Sequence, residues 1–241
     1  DGGDINPDTN TMFQNAIVEL KDYKPSLPKK PDFKYYYPNL YYDFINSEIN
    51  DFESVLDIGC GPGKKLMDFI FIGKKTFGIE PSKTYHRVHR ELGLNTRVGF
   101  INDIKEKENY DLVMLNHVFE HLTNLKKYVH LLHNVTKKYL FIEVPGHITK
   151  LQSIQNAHNY YFSLNILNHF FLNNKFKLIK IDYARDNEFI FALYKKSDEV
   201  VNIMYDRNSE LKIVRNITIK YFFKYIIIKI LKIFKIEKIV R

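Results

Sequence analysis

The sequence predicts a doubly wound α/β fold: a seven-stranded, mostly parallel sheet with helices on both faces, closed by an antiparallel C-terminal hairpin. Three observations predict it. Short apolar runs of strand length alternate with stretches of helical spacing from Ser54 to Val144, and such alternation favours parallel strands joined by crossover helices. The first strand runs straight into three glycines spaced two apart, Gly59, Gly61 and Gly63, at the kind of strand-to-helix turn where open α/β sheets take ligands. The last two strand-like runs, Lys177 to Ala184 and Glu188 to Tyr194, are separated only by Arg185, Asp186 and Asn187, which is hairpin spacing.

Taken in order, residues 1–34 read as an N-terminal arm or linker, because Pro7, Pro25, Pro28 and Pro31 interrupt regular structure. A short helix from Thr11 to Lys21, capped by Asn10, fits between them. The main domain spans 35–196 and opens on KYYYPNLYYDFI, a tyrosine-rich segment from Tyr35 to Tyr42. That segment reads as an N-terminal helix packed on the sheet by its aromatic rings. Strands follow at Ser54–Ile58, Lys75–Ile79, Thr96–Ile101, Tyr110–Leu115 and Lys138–Val144, with helices at Lys64–Ile72, Ser82–Leu92, His121–Val135 and Leu164–Leu172. Residues 197–241 form a linker and a basic amphipathic helix. Lys220, Lys224, Lys229, Lys232, Lys235 and Lys238 cover about half of a wheel at ~100° per residue, and Ile, Phe and Leu fill the other half.

At 241 residues the chain can bury one good core. Its net charge of +8 invites a polyanion partner, yet the surplus sits wholly in the tail: Lys212 to Arg241 holds nine Lys or Arg against the single acid Glu237. The body is balanced, so composition makes no case for nucleic acid. The lone cysteine, Cys60, excludes an intramolecular disulfide framework, and a reducing, cytoplasmic setting is the expectation. No apolar run approaches the ~20 residues that span a bilayer. The tail is expected to lie on an anionic membrane surface, to pack on the body or a second subunit, or to form a strand, which its many isoleucines also favour.

Glycine is required in the VLDIGCGPG turn because a ligand must touch main chain there and a Cβ would intervene. Asp57 adds a carboxylate at the same edge. The spacing is not that of a dinucleotide fingerprint, since Lys64 stands where the third glycine would be. The stretch resembles motif I of class I S-adenosylmethionine-dependent methyltransferases, a Rossmann-like family, and the likeness runs from about Ser54 to Lys196. The resemblance implies that Asp57, Gly59, Cys60, Gly61 and Gly63 hold the methionine end of the cofactor. It demands an acid some 17 to 20 residues beyond the turn to accept from the ribose hydroxyls, and Glu80, beside Pro81, meets that demand. It further implies that Asn102, Asp103 and Ile104 read the adenine, and that Asn116 and His117 face the methionine and the methyl. For the segment from Tyr35 to Tyr42 it implies a lid over the cofactor as the alternative to packing on the sheet.

Methyl transfer to a hydroxyl gains from a general base, most often histidine. His86, His89, His130 and His133 fall on expected helices and read as solvated faces. His117, Glu120 and His121 cluster in NHVFEHL. That run is similar to the metal-associated segment of ubiquinone-type O-methyltransferases, with His117 where that segment has Glu; no metal ligands are assigned. EVPGH, ending at His147, and AHNYYFS, from Ala157 to Ser163, resemble members that modify sugars and other small polar acceptors. His158 is the first candidate base, and His147 and His121 the second; alternatively His158 only precedes a helix capped by Ser163. The resemblance thus implies S-adenosyl-L-methionine as cofactor, S-adenosyl-L-homocysteine as product and a sugar, glycan or glycolipid hydroxyl as acceptor. The alternatives are a quinone or secondary-metabolite O-methyltransferase and a non-catalytic scaffold of the same fold.

Overall fold

The computed structural model describes residues 40–105, 107–146, 157–184, 188–201 and 206, and singly 208, 212, 215, 219, 222 and 223. The expected helix Thr11–Lys21, Tyr35 to Tyr37, His147, the 185–187 turn and most of the 217–241 tail lie outside the described residues.

The elements run α1 (Leu40–Asn46), β1 (Ser54–Ile58), α2 (Lys64–Phe71), β2 (Lys75–Glu80), α3 (Lys83–Glu91), β3 (Thr96–Val98), β4 (Tyr110–Asn116), α4 (Leu125–Val135), β5 (Thr136–Pro145), α5 (Leu164–Leu172), β6 (Phe176–Ala184) and β7 (Phe189–Lys196). They build one seven-stranded sheet in the order β3-β2-β1-β4-β5-β7-β6. The first five strands run parallel to one another, and β7 is antiparallel to both β5 and β6. Strand order reverses between β1 and β4, so the crevice beyond their carboxyl ends is the switch point at which such sheets bind ligands. The glycine turn follows β1 directly and lines that crevice.

The sheet is buried on both faces, as parallel sheets with helices on either side must be. One core joins Leu56, Ile58, Val113, Leu115, Leu140 and Ile142 to Phe119, Val129, Leu132 and Phe171. The other joins Val55, Leu112, Met114 and Phe141 to Tyr41 and Ile45 of α1 and Phe69 of α2. Alternate residues of one strand thus serve opposite cores, which is why the strands read as unbroken apolar runs. Tyr41 is buried, its ring 6.4 Å from those of Phe69 and Phe141, and its hydroxyl donates to Asp68. For Tyr41, packing on the sheet is the role observed.

Most elements lie within one or two residues of expectation, and two differ more. The third strand stops at Val98, and Ile101–Asp103 turns as a 3-10 helix. The Asp103 carboxylate accepts from the Phe100 amide at 2.8 Å, a local bond that competes with continuing the strand. The helix expected from His121 begins at Leu125, because Asn124 caps it by accepting from the Lys127 amide at 3.1 Å. Phe119–His121 forms a separate 3-10 turn.

Candidate functional site

β1 carries Asp57 to the crevice, only 1% exposed, and the turn beyond it is pinned to β2. The Gly59 and Cys60 amides both donate to the Ile79 carbonyl, at 2.7 and 3.2 Å. Gly59 and Gly61 have φ of 72° and 53°, the left-handed region that side chains rarely adopt. An added Cβ on Gly59 would lie 2.4 Å from Val118, whereas one on Gly61 would meet nothing within 4 Å. Gly61 therefore borders open space, a cradle that a side chain would fill.

One strand over, Glu80 ends β2. Its Oε2 accepts from the Gly61 amide and its Oε1 from the Ser82 amide, each at 2.9 Å. Two backbone donors fix the carboxylate beside the glycine turn with acceptor capacity left for a vicinal diol. Pro81 connects it to Ser82, the cap of α3. Across the crevice, β4 delivers Asn116, whose amide donates to Asp57 Oδ1 at 3.0 Å. Asn116 Oδ1 is buried without a hydrogen-bond partner, an acceptor that an ammonium group would satisfy. Burial pushes the Asp57 carboxyl up to about 7, against the opposing pull of Lys65 and Asn116.

His117 follows at φ 55° with both ring nitrogens facing carboxylates: Nε2 lies 3.1 Å from Glu143 and Nδ1 3.5 Å from Glu120. Burial acts to lower its pKa, but the two carboxylates outweigh it and hold the imidazole protonated to about 9. His117 is therefore no base at neutral pH. Glu143 also takes the Lys65 ammonium at 2.9 Å. Burial opposes its ionisation, yet His117 and Lys65 prevail and hold it down at about 2.

In the segment expected to read the adenine, Ile104 is buried, while Asn102 and Asp103 are exposed. Asn102 donates to the Tyr128 hydroxyl at 3.2 Å, and one oxygen of Asp103 is engaged by its own turn.

Around the expected base residues, Glu120 is fully buried; its oxygens make no hydrogen bond of standard geometry but face His117 Nδ1 at 3.5 Å. His121 Nε2 lies 3.8 Å from Glu120 Oε1, and the His121 and His158 rings meet at 4.8 Å. One ligand-type atom from each of Glu120, His121 and His158 falls within 4.8 Å of the others. His121 Nδ1 lies 2.8 Å from the Ala157 carbonyl. Because a carbonyl only accepts, Nδ1 carries a proton, and Nε2 is turned toward the cluster. The Asn159 and Tyr160 amides donate to the Glu120 carbonyl at 2.9 and 3.2 Å, which docks the His158 segment here. The cap of α5 is Ser163, accepting from the Ile166 amide, so His158 is not needed for capping.

The structure thus brings Asp57, Gly59, Cys60, Gly61, Gly63, Glu80, Asn116 and His117 to one crevice, with His121 and His158 gathered around Glu120. Lys65, Glu143 and His89 escape the sequence reading. A lone acid inside the apolar run KYLFIEV was a usable signal for Glu143; Lys65 had none. His89, expected on a solvated face, is instead fully buried.

A carboxylate-gripped glycine turn at the switch point of this sheet defines a class I S-adenosylmethionine-dependent domain. The family model described as a methyltransferase domain matches residues 29–181, and the chain belongs to that family. Among curated proteins it is similar to the ubiquinone biosynthesis O-methyltransferase of Rhodopseudomonas palustris strain TIE-1, 32% identical over 77 residues, which is 30% of each chain. The matched stretch therefore spans under a third of that relative. Among solved structures it is similar in fold to 1,6-didemethyltoxoflavin-N1-methyltransferase from Burkholderia thailandensis, solved with bound 1,6-didemethyltoxoflavin and S-adenosylhomocysteine: TM-score 0.57, 13% identity, 66% of this chain and 78% of that one. An S-adenosylmethionine-dependent methyltransferase from Clostridium acetobutylicum aligns at TM-score 0.55 and 13% identity over 78% of this chain and 99% of its own. The open cradle at Gly61, the fixed carboxylate of Glu80 and the orphaned Asn116 Oδ1 fit the cofactor of this class.

Proposed function

We propose that the chain methylates a hydroxyl of a sugar, glycan or glycolipid-type acceptor, with S-adenosyl-L-homocysteine as the other product. When bound, S-adenosyl-L-methionine supplies a methyl on a sulfonium leaving group; the acceptor oxygen bonds to that carbon as the C–S bond breaks. Glu80 holds the ribose diol, and Asn116 with Asp57 takes the ammonium. Such positioning can supply most of the rate. His158 or His121 accepts the hydroxyl proton, and Glu120 stabilises the resulting imidazolium. Burial lowers the His158 pKa, which keeps that ring neutral and able to accept.

The observation that carries this reading is the buried Glu120 carboxylate, which faces the His117 ring at 3.5 Å and also lies beside His121 and His158, where it can stabilise an imidazole that takes up a proton. The test is labelled cofactor screened against nucleotide sugars and glycan acceptors. With the acceptor found, His158→Ala should lower kcat by about 10² to 10⁴ at unchanged S-adenosylhomocysteine affinity; near-full turnover removes His158 as base.

The same cluster favours one second reading, a quinone-type O-methyltransferase. Its Glu120, His121 and His158 donors could hold a divalent cation, and a curated relative carries a ubiquinone biosynthesis name. Methylation of catechol but not sugar acceptors, lost on chelation and restored by Mg²⁺, would select it. No binding of S-adenosylhomocysteine at high micromolar concentration would leave only a scaffold. A cytoplasmic setting with peripheral membrane contact through residues 217–241 fits both enzyme readings; no helix among the described residues is long and apolar enough to cross a membrane.

A further inference from the structure

We infer that His89 is a positioning residue that holds the glycine turn in its cofactor-binding shape from beneath, an inference that rests on the cofactor reading of that turn. His89 lies on α3, and its Nε2 is 2.7 Å from the Gly61 carbonyl while its Nδ1 is 3.0 Å from the Thr96 hydroxyl. A carbonyl can only accept, so Nε2 carries the proton, and the neutral ring must then accept at Nδ1 from the Thr96 hydroxyl. That assignment leaves both nitrogens satisfied. The residue is fully buried, and burial holds its pKa down at about 4, so the ring is neutral at physiological pH.

The contact falls at the centre of the turn. The Gly61 amide is held by Glu80 Oε2 at 2.9 Å and its carbonyl by His89, so the residue bordering the open cradle is fixed through its own amide and carbonyl. The same imidazole underlies Gly63, where an added Cβ would lie 3.4 Å from His89 Cδ2. About one helical turn earlier on α3, His86 Nε2 lies 3.1 Å from the Glu80 carbonyl. Helix α3 therefore grips the backbone of both ligand-facing turns, and His89 is the grip on the glycine turn. Buried beneath the turn, His89 acts through the Gly61 carbonyl.

Calorimetric titration with S-adenosylhomocysteine tests this on the full chain. His89→Leu, which keeps an apolar body but cannot donate, should weaken binding about tenfold. His89→Gln, whose amide nitrogen can reach the same carbonyl, should return to within about threefold of wild type. A merely structural histidine predicts the opposite pattern: melting temperatures that fall in both variants and affinities that stay level. Unchanged affinity in His89→Leu, or equal loss in both variants, overturns the inference. Should His89→Leu fail to melt cooperatively, Thr96→Val carries the test by removing the hydroxyl that fixes the tautomer. Weaker binding there supports the clamp and unchanged binding overturns it. Wild-type protein that binds no S-adenosylhomocysteine removes the cofactor reading itself, and the inference with it; binding by wild type with no effect of any variant sinks the clamp alone.

Discussion

Asp57 shows how a single buried acid ties cofactor binding to stability. Its folded pKa of about 7 lies above the ordinary 3.8, so the folded chain holds this proton more tightly than the unfolded one. Its contribution is full below about pH 4, declines as pH rises through 7 and is flat beyond. A shift of this size corresponds to about 4 kcal/mol. Asp57→Asn, which retains an acceptor for Asn116, should therefore stabilise the cofactor-free protein by a few kcal/mol at pH 8 and by less than half as much at pH 5. Urea unfolding at both pH values reads this out; equal effects at the two would refute it. The same variant should bind S-adenosylhomocysteine more weakly, since the charge meant for an ammonium is gone. Asp57 and Glu80 were legible because their spacing from the turn is dictated by strand and helix lengths. His89 was not: its neighbours Arg87 and Arg90 make α3 read as solvated, and only the fold reveals that Thr84, Val88 and His89 face inward. That His117 follows directly on β4 was legible, but its protonation depends on Glu143, 26 residues away, which spacing cannot supply.

At the scale of elements, the glycine turn separates fold from function. Gly59→Ala meets Val118 at 2.4 Å as well as a positive φ, so it should destabilise by more than the ~1–2 kcal/mol of left-handed strain. Gly61→Ala incurs only that strain, because nothing lies within 4 Å of its Cβ. It should fold with a modestly lower melting temperature yet lose S-adenosylhomocysteine binding by an order of magnitude or more, its methyl occupying the cradle. Thermal melts and calorimetry on the pair separate the effects; a Gly61→Ala protein that binds normally would mean that no ligand approaches the turn. Helix α5 offers a plain control, as Ser163→Ala removes the bond to the Ile166 amide and should cost about 1 kcal/mol with binding intact. Long periodic elements such as α5 were legible to the residue. The 3-10 turns at Ile101–Asp103 and Phe119–His121 were not, since three residues carry no period and their conformation is set by Asp103, Asn124 and the packing of Phe119.

For the whole molecule, charge and apolar surface are distributed unevenly between body and tail. The body is balanced, while beyond Lys212 the sequence is strongly cationic and rich in Ile and Phe. Asn208, Lys212, Arg215, Ile219, Phe222 and Phe223 are helical and fall at helical spacing along one face. Ile219, Phe222 and Phe223 are 43%, 60% and 58% exposed, so this stripe passes from basic to apolar without cover from the described residues. An interfacial helix needs apolar side chains to enter the acyl boundary and cations to meet anionic headgroups, each Lys or Arg contributing about 1 kcal/mol near such a surface. The expected outcome is that the full chain floats with vesicles containing anionic phospholipid at low salt, and that a chain ending at Asn216 does not. Neutral vesicles should capture neither, and added salt should weaken capture as screening grows. Because, among the described residues, β1 to β7 and both cores close with side chains up to Lys196, the shortened chain should keep its melting transition and its S-adenosylhomocysteine affinity. Equal flotation of the two chains would assign the tail to another partner, and loss of the melting transition on truncation would assign it to the body.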